Sequence, residues 1–209
     1  MSNQLAIATV TCVLQDLLEP AMDIVPGARV STVRPDRLGK DGKMTRGLNI
    51  YLYRVSPNSQ FRNVDMPMRN NDGGYLRAPI MAVDLHYLVS AYGDETMLEP
   101  QILLGSAVAR LHEHTVLHRN MIQQGIESSS NIVEGSDLDE QRPKVKILMD
   151  NLSTEDLSKI WSVLFQTPYQ LSSAYVLGPI FLHSDVELAP RGRPVEEPRV
   201  TVGTIDESE

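Results

Sequence analysis

Short runs of aliphatic and aromatic residues, each bounded by proline, glycine or asparagine, punctuate this chain. The clearest run is 48–55, which alternates between two faces and is followed by Pro57 and Asn58. Both faces are apolar, as is typical of a strand covered on both sides or covered by a neighbouring subunit. Within the final run, Gly178-Pro179 indicates an edge position or a bulge. The other predicted strands cover residues 29–33, 80–90, 145–149 and 174–182.

Apolar residues return every three or four positions in three other segments, which predicts three helices. The first ends at Pro20, because proline bars the preceding residue from helical geometry. The second begins near Pro100, and the third follows a capping box formed by Ser153 and Asp156. The apolar stripes are Val10, Val13, Leu14 and Leu17; Leu104, Ala107, Val108 and Leu111; and Leu157, Ile160, Trp161 and Leu164.

Four segments show neither the alternation of a strand nor the three-to-four-residue spacing of a helix. Residues 35–47 fit an exposed hairpin tip or mobile loop, 56–79 a long loop, and 126–142 a serine- and acid-rich loop. From residue 185 the apolar density falls, which predicts an extended or disordered acidic arm over 185–209. One patch of that arm, 199–205, still alternates as a strand does.

Together these elements predict a mixed α/β (α+β) domain over residues 1–184, with a mixed sheet of about five strands packed with three or four helices. The length of 209 residues, 42% of them hydrophobic, fits one domain with its own core. The chain has no apolar run of about 18 residues, which argues against a membrane span. Residues 1–4 lack the basic start of a signal peptide. A single cysteine, Cys12, excludes an internal disulfide, so we expect folding in a reducing cytoplasm.

The charged residues are unevenly distributed along the chain, with a basic stretch and an acidic segment far apart. The net charge of −8 argues against a nucleic-acid carrier, which needs a positive surface. Opposite charges on separate segments suit head-to-tail contacts between copies, and they also fit solvated loops. The basic stretch contains Arg29, Arg34, Arg37, Lys40, Lys43 and Arg46, and the acidic segment contains Glu196, Glu197, Asp206, Glu207 and Glu209.

The residues that most resemble a catalytic group are Asp84, His86 and Ser90, which share one face of a predicted strand. A Ser-His-Asp relay needs the histidine to reach both partners. Because Leu88 separates His86 from Ser90, that hydroxyl lies too far along the strand. The pattern therefore favours a buried polar pair or an intersubunit contact over catalysis.

A histidine cluster raises the question of a metal site. His114 and His118 have the spacing of zinc ligands on a helix, but Glu113 precedes His114, so the general base of a zincin is misplaced. A helix C-terminus, where side chains meet free carbonyls, fits the cluster better. The chain also lacks the glycine-rich loops that cradle phosphates. We therefore expect no catalytic residues, no metal and no cofactor.

Seven short blocks follow one another between residues 5 and 182. They are LNIYLYRVSPN at 48–58, FRN at 61–63, VDLHYLVSAYG at 83–93, LLG at 103–105, LHEH at 111–114, LSKIW at 157–161 and PYQLS at 168–172. In this order they resemble the N-terminal domain of the cap (tail-terminator) protein of extracellular contractile injection systems of the antifeeding-prophage type. Several blocks in a fixed order are more specific than any single motif.

The resemblance implies a structural protein and not an enzyme. Such a protein has the fold of phage tail terminators and forms a hexameric ring on the distal end of the inner tube and the last sheath layer. It stops polymerisation and stabilises the extended sheath. The implied partners are further copies of itself, the sheath protein and the inner tube protein, with no nucleic acid and no membrane. The implied location is the cytoplasm during assembly and a released extracellular particle afterwards. Longer family members carry a further C-terminal domain that this chain is expected to lack.

Partner contacts are predicted in three segments. Phe61 belongs to the loop 56–79, where the alternative is that its ring fills the domain's own core while the arginines cap carbonyls. In the arm, the patch 199–205 is expected to add as a strand to a partner sheet. The expected contact residues are Phe61, Arg62, Asn63 and Arg77; Arg34, Arg37, Lys40 and Lys43; and Val200 and Val202. Two competing functions are a small cytoplasmic enzyme or hydrolase that uses Asp84 and His86, and a monomeric adaptor.

Overall fold

The computed structural model describes residues 2–38, 46–61, 78–164 and 167–184. All five predicted strands are present within these ranges. They are β1 (Arg29–Ser31), β2 (Gly47–Pro57), β3 (Ile80–Tyr92), β4 (Lys146–Asp150) and β5 (Ser172–His183). The α-helices are α1 (Ala6–Leu18), α2 (Glu99–Glu113), α3 (Arg119–Ser128), α4 (Ser130–Val133) and α5 (Thr154–Val163). The predicted arm at 185–209, and with it the boundary at 184, lies outside the described residues.

The five strands form one mixed sheet in the order β1-β2-β3-β5-β4. β1 runs parallel to β2, and the other neighbours are antiparallel. This arrangement confirms the predicted fold class. It also places β1 and β4 at the two edges of the sheet, whereas β3 lies at its centre.

Gly178-Pro179 lies in the interior of the sheet, so the edge alternative was wrong and the bulge alternative is confirmed. β5 is paired with β3 on one side and β4 on the other. The β3–β5 register shifts between Val83 and Leu85, which leaves two residues of β5 opposite Asp84. A Cβ at position 178 would overlap the Asp84 carboxylate, so a larger residue here would have to displace that side chain.

Both faces of the sheet are covered, as the apolar character of β2 predicted. On one face, α1 and α2 pack against the strands and α3 packs against α1. Tyr87 lies fully buried in this main core, where its hydroxyl is 2.8 Å from that of Thr11 and burial raises its pKa. On the other face, α5 covers a smaller cluster of buried residues, Leu88, Trp161 and Leu164.

The helices differ from the sequence-based predictions in two places. In α2, Ala107 and Leu111 of the predicted stripe are buried as expected, whereas Leu104 is only partly buried and Leu103 is buried beside it. Residues 126–142 were predicted to be a loop, and that was wrong for their first half, because α3 and α4 extend to Val133.

The second error has a local cause. α3 buries Ile122 and Gly125 and packs Met121 and Ile126 against the core, so a helical period is present, but the segment is otherwise polar and is typical of a loop. A Cβ at Gly125 would overlap Val13 of α1, so the two helices approach closely at a glycine.

The start of α5 confirms half of the predicted capping box. The Ser153 hydroxyl accepts a hydrogen bond from the Asp156 amide at 3.1 Å. The Asp156 carboxylate accepts its bond from the Ser153 hydroxyl at 2.6 Å, and not from a backbone amide. None of the helices in the described ranges combines the length and the apolar character that crossing a bilayer requires.

Candidate interaction surfaces

The three residues of the predicted relay bind three different partners. The Asp84 carboxylate accepts two hydrogen bonds from the Asn58 amide, at 2.8 and 3.0 Å. His86 Nε2 lies 2.8 Å from the Ser56 hydroxyl. The Ser90 hydroxyl donates to Tyr92 at 3.4 Å. The Asp84, His86 and Ser90 relay is therefore not assembled, for the reason of spacing given above.

His86 has an acid and a hydroxyl on opposite sides, but not in relay geometry. Its Nδ1 lies 3.9 Å from Asp150 Oδ2, which is too long for a hydrogen bond. Burial lowers the pKa of His86, and the positive charge of Arg54 lowers it further, whereas Asp150 acts in the opposite direction. The lowered pKa favours the neutral form of the ring, whose centroid lies 6.0 Å from that of Tyr53.

Asp84 instead has a structural role at the start of the segment that presents Phe61. The Asn58 side chain that it holds accepts hydrogen bonds from the amides of Gln60 and Phe61, at 3.0 and 3.1 Å. The Phe61 ring packs edge-on against Phe181, with centroids 5.1 Å apart. Phe61 therefore contacts its own domain, and its predicted contact with a partner stays a prediction. Arg62, Asn63 and Arg77, the other predicted contacts of this loop, lie outside the described residues.

The histidine cluster does not lie on one helix. α2 ends at Glu113, and His118 precedes α3, so the four-residue spacing does not place His114 and His118 on one face. His114 Nδ1 lies 3.1 Å from the Arg110 carbonyl, which is the helix C-terminal contact that was favoured from the sequence. Within the described ranges, no group of three or more metal-ligating side chains comes together.

Three of the four described residues of the basic stretch are paired within their own chain. Arg29 lies 3.8 Å from Glu19, Arg34 lies 3.2 Å from Asp36, and Arg46 lies 2.7 Å from Glu99. Arg34 and Arg37 are exposed. Lys40 and Lys43 lie outside the described residues, as do Val200 and Val202 of the arm. The predicted partner contacts of this stretch and of the arm therefore stay predictions.

An exposed apolar surface at the start of α2 was missed in the sequence. We name it the Leu98 surface; it consists of Met97, Leu98, Ile102, Tyr169 and Leu171, all exposed. Leu98 and Tyr169, which are 53% and 59% exposed, line a groove of about 370 Å³. A polar residue normally occupies the position before a helix, so a leucine at position 98 was the sequence signal that could have revealed this exposed surface.

Leu98 is also strained. Its φ is 56°, in the left-handed region that costs a residue with a side chain about 1 kcal/mol or more. The preceding turn holds it there, because the Asp94 carboxylate accepts hydrogen bonds from the Thr96 hydroxyl and amide at 2.6 and 2.9 Å. These bonds lower the pKa of Asp94, and the bond from the Thr96 hydroxyl is the larger cause. Strain of this kind tends to be kept where a surface has a binding role.

The two edges of the sheet expose different amounts of backbone. At β1, the Val30 amide donates to Glu19 Oε2 at 3.0 Å, and the Val30 carbonyl accepts from Gln15 Nε2 at 3.3 Å. At β4, the Ile147 amide donates to the Thr115 carbonyl at 2.8 Å, and among the described residues this cover extends no further along the strand. We name residues 148–150 the open β4 edge.

The open β4 edge carries exposed apolar side chains. Leu148 and Met149 are 59% and 62% exposed. Because the Ile147 amide points away from β5, the alternation of an antiparallel ladder points the Met149 amide outward as well. An uncovered strand edge with apolar side chains is a template for an added strand.

Comparison with known proteins supports the fold and the resemblance. The chain is similar to a cryo-EM structure of the sheath/tube terminator of PVC, an extracellular contractile injection system, in its extended state (TM-score 0.60, 13% identity, all of this chain and 66% of that one). It is also similar to a cryo-EM structure of the tube-terminating cap of the anti-feeding prophage, AFP (TM-score 0.61, 14% identity, 92% of this chain and 60% of that one).

At this level of identity the two likenesses establish the fold. The chain spans less than two-thirds of the length of either protein. No curated protein sequence matches it. The sequence profile described as the Pvc16 N-terminal domain matches residues 9–197. Since this match takes in most of the chain, the protein belongs to the Pvc16 N-terminal domain family.

Proposed function

We propose that this protein caps the end of the inner tube and sheath of a contractile injection particle, where it stops polymerisation and stabilises the extended sheath. The observation that carries this proposal is the chain-long likeness to two tube-terminating proteins. The family membership over residues 9–197 supports it. In this role the protein is structural, needs no cofactor, and belongs to a released extracellular particle after assembly in the cytoplasm.

The two ends of the sheet suit a cap. The Leu98 surface lies where β3 ends at Tyr92, whereas the Phe61 segment packs against Phe181 near the far end of β5. A terminator needs such separated surfaces, because it contacts the end of a polymer as well as its own neighbours. The proposed partners are the tube protein, the sheath protein and further copies of this chain.

We place the ring contacts on different patches of one molecule. A closed ring of identical subunits requires a heterologous interface, in which patch and counter-patch differ. The proposed assembly is a hexamer. Phe61, the basic residues Arg34 and Arg37, and the arm remain its predicted contact sites.

Gene removal tests the function most directly. We expect particles that lack this protein to have tubes of variable length in electron micrographs, and the intact gene to restore uniform length. Uniform tubes after removal contradict the proposal. A purified monomer whose hydrolase activity is lost in His86→Ala would establish the enzyme alternative instead.

A second test asks whether the Leu98 surface takes part in capping. Leu98→Asp and Tyr169→Asp place charge on the Leu98 surface, and we expect both to prevent rescue of tube length. The matched control is Val163→Asp on α5, because Val163 is 78% exposed and lies outside the Leu98 surface. Rescue by the two surface variants would remove this surface from the proposed interface.

A further inference from the structure

The open β4 edge offers both backbone groups and a distinctive charge pattern. Arg142, Lys144 and Lys146 are exposed at and before the start of β4. In the described part of the chain, none of these three forms an ion pair. A strand that pairs with this edge therefore meets free positive charge at the end where β4 begins.

Negative charge dominates the opposite end of the edge. β4 ends at Asp150, and α5 begins shortly afterwards with Glu155 and Asp156 in its first turn. The edge is thus positive at its start and negative past its end. An added strand with an acidic C-terminal side fits only if it runs antiparallel to β4.

One segment of this chain has the required pattern. Residues 199–205 alternate as Arg-Val-Thr-Val-Gly-Thr-Ile, and Asp206-Glu207 follow directly. In an antiparallel pairing, the last three alternating residues, 203–205, lie opposite 150–148, and the acidic residues leave the edge toward the exposed Lys146 and Lys144, where residues 115–117 already cover the strand. We propose that the open β4 edge receives residues 203–205 of a second copy as a short added antiparallel strand.

The direction of the chain explains why the donor is a second copy. β5 runs antiparallel to β4 and ends at His183, beyond the Gly178–Lys146 pair, so the chain leaves the sheet where β4 begins. An arm that turned back directly along its own β4 would run parallel to it. Its acidic residues would then lie near Asp150 and Glu155, where like charges repel.

This inference rests on the self-association contained in the proposed function, and crosslinking tests it separately. One copy carries Met149→Cys, and a differently tagged copy carries Gly203→Cys, Thr204→Cys or Ile205→Cys in turn. The natural Cys12 is buried and is left in place. Under mild oxidation of the full-length mixture, we expect a disulfide-linked dimer containing both tags for at least one arm position. The control is Thr32→Cys, next to β1, which we expect to form no such dimer.

Charge reversal provides a second test. If the disulfide formed only by random collision of two copies, its yield would not depend on these charges. Lys144→Glu with Lys146→Glu is expected to lower crosslinking at least several-fold, and Asp206→Lys with Glu207→Lys in the donor copy is expected to restore it. Lys159→Glu reverses an exposed lysine on α5 and is expected to leave the yield unchanged.

Failure of this inference is distinguishable from failure of the proposed function. If no mixed dimer forms at any arm position, or if Thr32→Cys links equally well, the inference is wrong while the capping role stands. If tubes stay uniform without the gene, the capping role fails even where the disulfide forms.

Discussion

The two edges of the sheet differ in how far the described residues satisfy their outward backbone groups. At β1, side chains from α1 and the following turn satisfy both outward backbone groups of Val30. At β4, the backbone of residues 115–117 covers only the first half of the strand. The difference matters because an edge capped by side chains has no free groups for a new strand, whereas an uncovered edge does.

Two proline substitutions in β4 are expected to give the largest contrast. The Leu148 amide points toward β5, so Leu148→Pro removes a ladder bond and is expected to cost about 2 to 3 kcal/mol of unfolding free energy. The Met149 amide points outward, so Met149→Pro is expected to cost about 1 kcal/mol or less. Chemical denaturation measures both. Equal losses would show that the β4 edge is not open at Met149.

Removing the cap at β1 is expected to have a smaller effect. Glu19→Ala deletes the acceptor for the Val30 amide and is expected to cost about 1 kcal/mol, whereas Glu19→Gln retains an acceptor oxygen and serves as the control. We also expect Glu19→Ala to raise self-association in sedimentation experiments, because it frees a backbone group at the edge. Unchanged behaviour of Glu19→Ala in both measurements would mean that Glu19 does not close this edge.

Acid is expected to weaken the fold modestly near the end of β4, where Asp150 faces His86. The pKa of folded His86 is lowered, mainly by burial, so the unfolded chain binds its proton more readily. Stability from this group is therefore present above about pH 6.5 and is lost as the pH falls from there through the lower folded pKa. Thermal unfolding at a series of pH values should show a shallower slope for His86→Asn than for the wild type. Parallel slopes contradict the assignment.

The smallest effect on stability is expected for charge placed on the open edge itself. Met149→Lys changes an exposed side chain, so its unfolding free energy should stay within about 0.5 kcal/mol of the wild type. Its self-association should nevertheless fall, because lysine on an edge opposes strand addition. Thr32→Lys provides the matched change near β1, where sedimentation should remain as in the wild type.

Local patterns predicted most of the fold. The strand at 48–55 and the helix with Trp161 were found because each concentrates apolar residues at the period of its structure. α3 was missed because its few apolar residues, Met121, Ile122 and Ile126, stand in an otherwise polar segment. Of the predicted contact residues, Phe61, Arg34 and Arg37 lie in the described ranges, and none of them is shown to bind a partner.

The sequence by itself determined the family, the fold class and the apolar character of both faces of β2. Those properties depend on residues close together in the chain, where period and composition are visible. Only the tertiary structure decided that Val30 is capped from Gln15 and Glu19, that Leu98 is held exposed, and that no other described segment covers the β4 edge beyond Ile147. Each of these depends on which distant segment fills the space beside a residue, and that is set by packing of the whole sheet and not by local spacing.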